Sequence, residues 1–436
     1  MTTRSLTRRR LLQGGGTALA GWSVVKVSGP AAAFGEAGAA TVPWIDRDGP
    51  PETYPGHPGD EVIRWQDQPP PIPPPAADAV GKLLEWEALS TRLTPADNFF
   101  TVKHYNLPTI DPTSWRLGIG GLVDRPRSVS LAALKSRARK RVEFTLECSG
   151  NTGLPFAIGA VGNAVWGGAA LAPLLRAARP LHSASEVVFW GTDSGTVTIR
   201  DNSGVTSAGV TGVGEPDATG GLDLTITEQF ARSMSLQDAM TPANLLCYEM
   251  NGEPLPAEHG SPVRLIAPGW YGVANVKWLS RIELIDHRYA GRFMARDYVT
   301  FREETDAAGE VVWTFQTVGH DRLKSAPAKV TRNGAQHTVI GVAWGAPIKK
   351  VEVSIDNGPW TRARLRPASQ AGDSAGLTWR FWTYDWGTPA PGLHTVASRA
   401  IDTHGMVQPA PDDPVIAQKV TYWESNGQIT RSVLIG

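Results

Sequence analysis

The 436 residues contain two cysteines, Cys148 and Cys247, and only Cys148 stands where chemistry is open to it. It closes the run Arg141-Val142-Glu143-Phe144-Thr145-Leu146-Glu147-Cys148, and Ser149-Gly150-Asn151-Thr152-Gly153 follows at once. The run alternates. Val142, Phe144, Leu146 and Cys148 fall on one face, and Glu143, Thr145 and Glu147 on the other. A period of two predicts a half-buried strand, and the Ser-Gly-Asn-Thr-Gly cluster predicts the turn that ends it. Cys148 then takes the last inward position of a stiff element, at the lip of a loop. A soft thiolate held there can bind a metal and leave one side of it open. Taken alone, Cys148 reads as a buried small hydrophobe, or, in an oxidising compartment, as half of a disulfide with Cys247. Cys247 lies in the apolar run Leu245-Leu246-Cys247-Tyr248 and reads as a core cysteine.

The elements that must hold Cys148 in place read as an α+β domain. Trp115, Leu117 and Ile119 alternate with Arg116, Gly118 and Gly120, and Asp124-Arg125-Pro126 makes a turn. Ser130 is placed to cap a short helix over 131–138. A second helix is predicted over 169–178, with Leu171, Leu174, Leu175 and Ala178 on one face. Val187-Val188-Phe189-Trp190 predicts a buried strand that runs into Gly191-Thr192-Asp193-Ser194-Gly195. Two further strands, 245–250 and 263–266, are joined through Asn251-Gly252 and a Pro-rich loop. The Gly/Thr/Ser-rich residues 201–222 read as a long loop, a feature that is often functional in compact domains. Beyond Lys324-Ser325-Ala326-Pro327 the pattern changes to short strands around Val339–Trp344, Val351–Ile355, Trp379–Tyr384 and His394–Ala400. Asn333-Gly334, Asn357-Gly358 and Pro391-Gly392 punctuate them, which predicts an all-β, immunoglobulin-like sandwich without the paired cysteines of antibody domains.

At the N-terminus, Arg8-Arg9-Arg10 precedes a weakly apolar run holding Gly14-Gly15-Gly16, with Ala31-Ala32-Ala33 as a cleavage site. This resembles a twin-arginine export signal and is a poor transmembrane helix. The expected organisation is a signal peptide over 1–33, a Pro/Gly-rich extension over 34–94, a catalytic domain over 95–322 and the sandwich over 323–436. Export places the mature chain in the periplasm or another extracytoplasmic space, without a membrane span. Lys plus Arg and Asp plus Glu number 42 each, a balance that argues against nucleic acid as a partner. There is no Cys-x-x-Cys-His sequence, hence no covalent c-type haem.

Several segments, taken in order, resemble the sulfite oxidase family of molybdenum-cofactor enzymes. They are Phe99-Phe100-Thr101-Val102-Lys103-His104-Tyr105-Asn106-Leu107-Pro108, the Cys148 segment, Gly162-Asn163-Ala164-Val165-Trp166-Gly167-Gly168 and Gly191-Thr192-Asp193. They continue with Tyr248-Glu249-Met250-Asn251-Gly252-Glu253-Pro254-Leu255-Pro256-Ala257-Glu258-His259-Gly260-Ser261-Pro262-Val263-Arg264 and end at Asn275-Val276-Lys277-Trp278-Leu279. The resemblance covers residues 95–430. It implies that Cys148 gives the one protein thiolate to molybdenum beside the dithiolene of the molybdopterin. It implies that His259, Arg264, Asn275 and Lys277 bind the pterin and its phosphate, with Asp193, Lys103 and His104 completing the pocket, and that Lys103, as a catalytic residue, orients an anionic substrate. The chemistry agrees: a phosphate monoester is met by a planar guanidinium fork and a compact ammonium, and a polar pterin needs fixed donors and acceptors. The resemblance also implies oxygen-atom transfer on a sulfur compound, a homodimer made through the second domain, a separate c-type cytochrome as electron acceptor, and a tryptophan at 166 shaping the substrate channel.

The departures bear on the substrate. The family pattern carries Arg where this chain has Lys103 and Gly153, and the family's active-site Tyr aligns here with Phe230. Arg431 is the one candidate to restore a cation, from the C-terminal domain. A small dianion such as sulfite depends on fixed guanidinium donors, so these changes bear on sulfite itself. Two alternatives follow: the same centre reducing an S- or N-oxide such as a methionine sulfoxide, or a metal-free extracytoplasmic binding module that keeps the fold.

Overall fold

The computed structural model describes residues 59–74, 76–199, 224–367, 376–419 and 421–436. The predicted signal 1–33, the extension up to residue 58 and the predicted loop 201–222 lie outside the described residues. The strand Arg139–Glu147 forms as its alternation predicts. It pairs antiparallel along its whole length with Val161–Ala170. Leu245–Met250 adds on the far side, and Glu253–Pro254 and Arg264–Ile266 pair with it in turn. Asn251 and Gly252 both have positive φ, the geometry a tight hairpin turn needs.

The strand is buried on both faces, not half-buried. Phe144 and Leu146 pack with Phe99, Phe100, Trp166 and Cys247. On the other face Glu143, Thr145 and Glu147 are 2%, 1% and 1% exposed. The cause is that more distant parts of the chain cover the polar face. The Thr145 hydroxyl accepts from the Trp379 backbone N–H at 2.7 Å. Glu147 accepts from Lys324 Nζ at 2.5 Å and from Trp344 Nε1 at 2.9 Å. Glu143 meets Arg92 Nε at 2.5 Å. Buried carboxylates persist only when paired in this way, so the polar residues of the pattern mark an internal joint rather than a solvated face.

A second sheet runs Arg127–Ser130, Arg116–Gly121, Leu279–Ile285, Glu186–Ile199, Leu224–Ser235. Leu279–Ile285 is parallel to Arg116–Gly121, and the other pairs are antiparallel. Helix Leu171–Ala178 buries Leu171, Leu174, Leu175 and Ala178. Helix Leu131–Lys135 is shorter than predicted but keeps its cap: the Ser130 hydroxyl accepts from the Ala133 N–H at 3.1 Å. Glu186–Ile199 is one continuous strand, so the strand read over 187–190 carries on through 191–195. A register shift between Trp190 and Ser194 absorbs the glycine-rich residues as a bulge, and Asp193 sits in it.

Beyond residue 323 two sheets face each other. One holds Glu61–Ile63, Lys324–Asn333, Gln336–Trp344, Arg380–Gly387 and Arg364–Leu365; the other holds Thr361–Arg362, Ile348–Ile355, Gly392–Asp402 and Ile429–Ile435. Val330, Val339 and Trp382 of the first share a core with Val351, Val353, Val396 and Val433 of the second. The extension is built into this part of the molecule. Glu61–Ile63 is an edge strand, and Trp65 is buried with its indole N–H on the Ala328 carbonyl at 2.9 Å. No helix among the described residues is long and apolar enough to cross a membrane.

Candidate active site

A cleft opens beside the Cys148 turn. It is lined by Cys148 and Leu146, by Phe100, His104, Phe230 and Tyr298, and by Asp193, His259, Arg264, Asn275 and Lys277. The sequence places these residues far apart, and the strand ends and turns bring them together. Lys103 is the exception. Thr101, Val102 and His104 line the cleft but Lys103 does not. Its backbone N–H is fixed on the Ala79 carbonyl at 2.7 Å.

The polar residues form one connected group. Arg264 is 3% exposed and donates through Nη1 to the His259 carbonyl and through Nη2 to the Asn275 carbonyl, both at 2.9 Å. Lys277 Nζ donates to the carbonyls of Val102 at 2.9 Å and Glu258 at 3.0 Å. The Asn275 amide is committed to the backbone: Oδ1 accepts from Ala267 N–H, and Nδ2 donates to the carbonyls of Trp270 and Tyr271. Asn275 therefore braces this wall. Gly260, at φ 109°, leaves the space that Arg264 and Lys277 use; a Cβ there would lie 2.9 Å from that of Lys277 and 3.1 Å from that of Arg264. Trp278 holds a φ of 48°, unusual for so bulky a residue. Its indole N–H is tied to the Ala257 carbonyl at 2.8 Å.

Burial sets the charges of this group. It pulls Lys277 down to about 7, with Arg264 adding to the effect, and pulls His259 down to about 4. It pushes Asp193 up to about 6 against the pull of Lys277. Two buried atoms in this group have no hydrogen-bond partner, Asp193 Oδ1 and Arg264 Nε. Orphaned buried polar atoms are costly unless a ligand completes them. A pterin with a phosphate tail, offering ring nitrogens, amide groups and anionic oxygens, fits this donor and acceptor set.

The remaining residues form a second group around Cys148. His104 Nε2 lies 2.6 Å from Tyr298 Oη, and its ring stacks on Phe230 at 4.7 Å. Burial pulls His104 down to about 3, with Lys277 the largest charge acting on it, so it is neutral. Tyr298 stacks on Trp423 at 4.2 Å, and Trp423 lies over the turn: a Cβ on Gly150 would sit 3.2 Å from its ring. Burial pushes the Cys148 thiol up to about 11, so without a metal it is protonated and unreactive. Cys148 and Cys247 are both free thiols, which disposes of the disulfide between them.

Tyr298 was missed in the sequence. The hydroxyl that the alignment gives up at Phe230 is supplied from another part of the chain, across the His104 ring. No periodicity or turn signal marks Arg296-Asp297-Tyr298. Two other expectations are corrected. Arg431 does not reach the cleft: it is buried on Asp67 at 3.1 Å and over the Trp65 ring. Trp166 is fully buried beneath Arg264, 5.0 Å from the guanidinium, and does not shape a channel. At Gly153 the space a side chain would need is filled by the Tyr422 carbonyl.

The fold and the two groups define a molybdopterin-dependent oxidoreductase. Residues 104–293 match the family model "Oxidoreductase molybdopterin binding domain", and residues 321–423 match "Mo-co oxidoreductase dimerisation domain". The chain is 32% identical over 355 residues to sulfite oxidase of Gallus gallus, covering 76% of this chain and 71% of that protein. It is 31% identical to mitochondrial sulfite oxidase of Mus musculus, with 74% of this chain and 58% of the relative covered. The fold is that of the sulfane dehydrogenase SoxCD from Paracoccus pantotrophus, with a TM-score of 0.65 at 22% identity over 86% of this chain and 90% of that one. The chain belongs to the sulfite oxidase family of molybdenum-dependent oxidoreductases, and its cofactor is molybdenum held by molybdopterin.

Proposed function

We propose that this chain is an exported enzyme that oxidises sulfite or a related sulfur compound and passes the electrons to a separate c-type cytochrome. The observation that carries the reading is one cleft lined by the half-buried Cys148 and by Asp193 and Arg264, whose Oδ1 and Nε are orphaned polar atoms. In this reading Cys148 holds the metal, which displaces the thiol proton. Arg264 and Lys277 meet the phosphate; Asp193 and His259 meet the pterin; Asn275 holds the loop that carries them. The bound cofactor supplies two-electron oxygen-atom transfer. Tyr298 Oη, kept protonated by burial and hydrogen-bonded to a neutral His104, offers a hydroxyl to an oxygen carried on sulfur.

We further propose an immunoglobulin-like sandwich from 323 onward as the homodimer contact. Leu393 and Leu434, paired across neighbouring strands and 66% and 52% exposed, support such a contact. The catalytic domain is assigned to 95–322. Export rests on the Arg8-Arg9-Arg10 motif, outside the described residues. The neutral surroundings of Cys148 also favour a second reading, in which the same centre reduces an S-oxide. Elemental analysis of the purified chain tests the core of the proposal. Stoichiometric molybdenum together with dye reduction driven by a sulfur substrate is expected; absence of molybdenum from protein made in a cofactor-producing host would sink it.

A further inference from the structure

The Cys148 turn is covered by a strap from the far end of the chain. The Glu424 N–H donates to the Ser149 carbonyl at 2.7 Å, and the Thr152 hydroxyl donates to the Ser425 carbonyl at 3.2 Å. The Tyr422 carbonyl fills the side-chain space at Gly153, and the Trp423 ring fills that at Gly150. The strap is firmly anchored. The Glu424 carboxylate is buried, takes Arg302 at 2.6 Å and Arg322 at 3.4 Å, and accepts the Gly319 N–H at 3.0 Å.

Two consequences follow. The first is that no cation projects from this turn. Among the described residues the charged donors lining the cleft are Arg264 and Lys277, both in the polar group and both donating to backbone carbonyls. Arg302 and Arg322 are held by Glu424, and Arg232 is buried on the carbonyls of Phe293 and Val318 without lining the cleft. The second is that the strap sets a continuous aromatic stack. Tyr422 leans on Trp423 at 4.3 Å, Trp423 stacks on Tyr298, Tyr298 bonds His104, and His104 stacks on Phe230. Trp423 does not itself line the cleft; it acts by fixing the face of Tyr298.

We propose that the strap Tyr422–Glu424 sets the substrate class: the cleft takes a sulfur atom carried on an uncharged organic group, a thioether or its sulfoxide, in preference to a free sulfur oxyanion. This rests on the reading of the cleft as a molybdenum site that acts on sulfur. Among the described residues no cation lines the cleft beside Cys148, and the nearby Lys324 is spent on Glu147, so an oxyanion leaving water here gains little, whereas an organic sulfur gains apolar burial and contact with aromatic rings. A sulfoxide oxygen adds the Tyr298 hydroxyl as donor. The reaction balances in either direction. One thioether and one water give one sulfoxide, two protons and two electrons, the electrons going to two equivalents of a one-electron acceptor. Reduction of the sulfoxide by a one-electron dye returns the same atoms and electrons.

The test uses the molybdenum-loaded full chain with methyl phenyl sulfide and ferricyanide, methyl phenyl sulfoxide and reduced viologen, and sulfite and ferricyanide. The better organic substrate is expected to exceed sulfite in kcat/KM by about tenfold or more, and its KM should not change with salt. Trp423→Ala is expected to raise the organic KM about tenfold with a smaller change in kcat, a clearly larger loss than it causes on sulfite, while Trp423→Phe restores the organic KM. A preference for sulfite, or an equal loss on both substrates in Trp423→Ala, overturns the proposal and leaves the sulfur reading standing. Failure of the loaded protein to turn over any of the three compounds overturns both.

Discussion

The two groups that line the cleft are built in opposite ways. The polar group comes from a short stretch of sequence, His259 to Lys277, with Asp193 added from a bulge. Its cations are fixed by backbone carbonyls rather than by carboxylates. They are thus oriented without being neutralised, and a phosphate arriving there meets uncompensated charge. The aromatic group is assembled from residues 104, 230 and 298, with Trp423 packed behind Tyr298, each from a different part of the chain. It carries no net charge. The contrast teaches a division of labour: affinity for the cofactor is local and electrostatic, whereas the surroundings of the reacting sulfur are long-range and apolar.

The largest expected effect comes from removing the thiol that the proposed reading gives to the metal. Cys148→Ser should stay folded, because the side chain is nearly isosteric. Turnover should fall to background, while pterin released on denaturation remains close to wild type, since the polar group is intact. Molybdenum analysis and pterin fluorescence, with circular dichroism as the folding control, check this. Full activity in the variant would remove Cys148 from the metal.

Lys277→Met breaks the other side and should lose pterin and metal together, lowering occupancy about tenfold or more at limiting cofactor. The wild type gives the sharper form of the same prediction. Burial and Arg264 hold the empty site's Lys277 near 7, so above that pH the ammonium is largely deprotonated. A phosphate dianion favours the charged form, so binding takes up a proton. Apparent affinity should therefore fall by about tenfold per pH unit above 7, until the bound-state pKa is reached. Titration of apoprotein with cofactor from slightly acidic to alkaline pH measures it. A flat profile would mean that Lys277 does not face the phosphate.

This asymmetry explains what could be read in the sequence. Alternation located the Cys148 strand, and local motifs located His259, Arg264, Asn275 and Lys277 in one block. The same alternation was misleading about Glu143, Thr145 and Glu147, because a period of two reports which face a residue is on, not what covers that face. Asp193 was found, but the bulge that holds it was not, since glycine serves bulges and turns alike. Tyr298 and Trp423 were not legible as site residues. Their roles depend on packing between elements far apart in sequence, and neither carries a local signature.

The joint between the domains is the next way to test the division. Lys324 reaches Glu147, the neighbour of Cys148, and both side chains are essentially inaccessible. Lys324→Met leaves a buried carboxylate without its cation and should cost about 3–5 kcal/mol of stability. Glu147→Gln in the same chain should restore part of the loss, because a neutral amide can still accept from Trp344. Denaturant unfolding of the single and double variants decides it. An unchanged midpoint in Lys324→Met would show that the pair is not a structural joint.

The smallest effect should come from Lys103, and it bears most directly on the neutrality of the aromatic side. The sequence placed this lysine in the pocket as an anchor for an anionic substrate. In the structure its neighbours Val102 and His104 face the cleft while its own side chain does not line it. A charge off the wall acts through solvent and is screened. Lys103→Ala should therefore change the apparent affinity for any sulfur substrate by no more than about twofold. A KM for sulfite that rose about tenfold, and did so less at high salt, would put a working cation beside Cys148. The aromatic side would then be charged in use, and the contrast between the two sides of the cleft would fail.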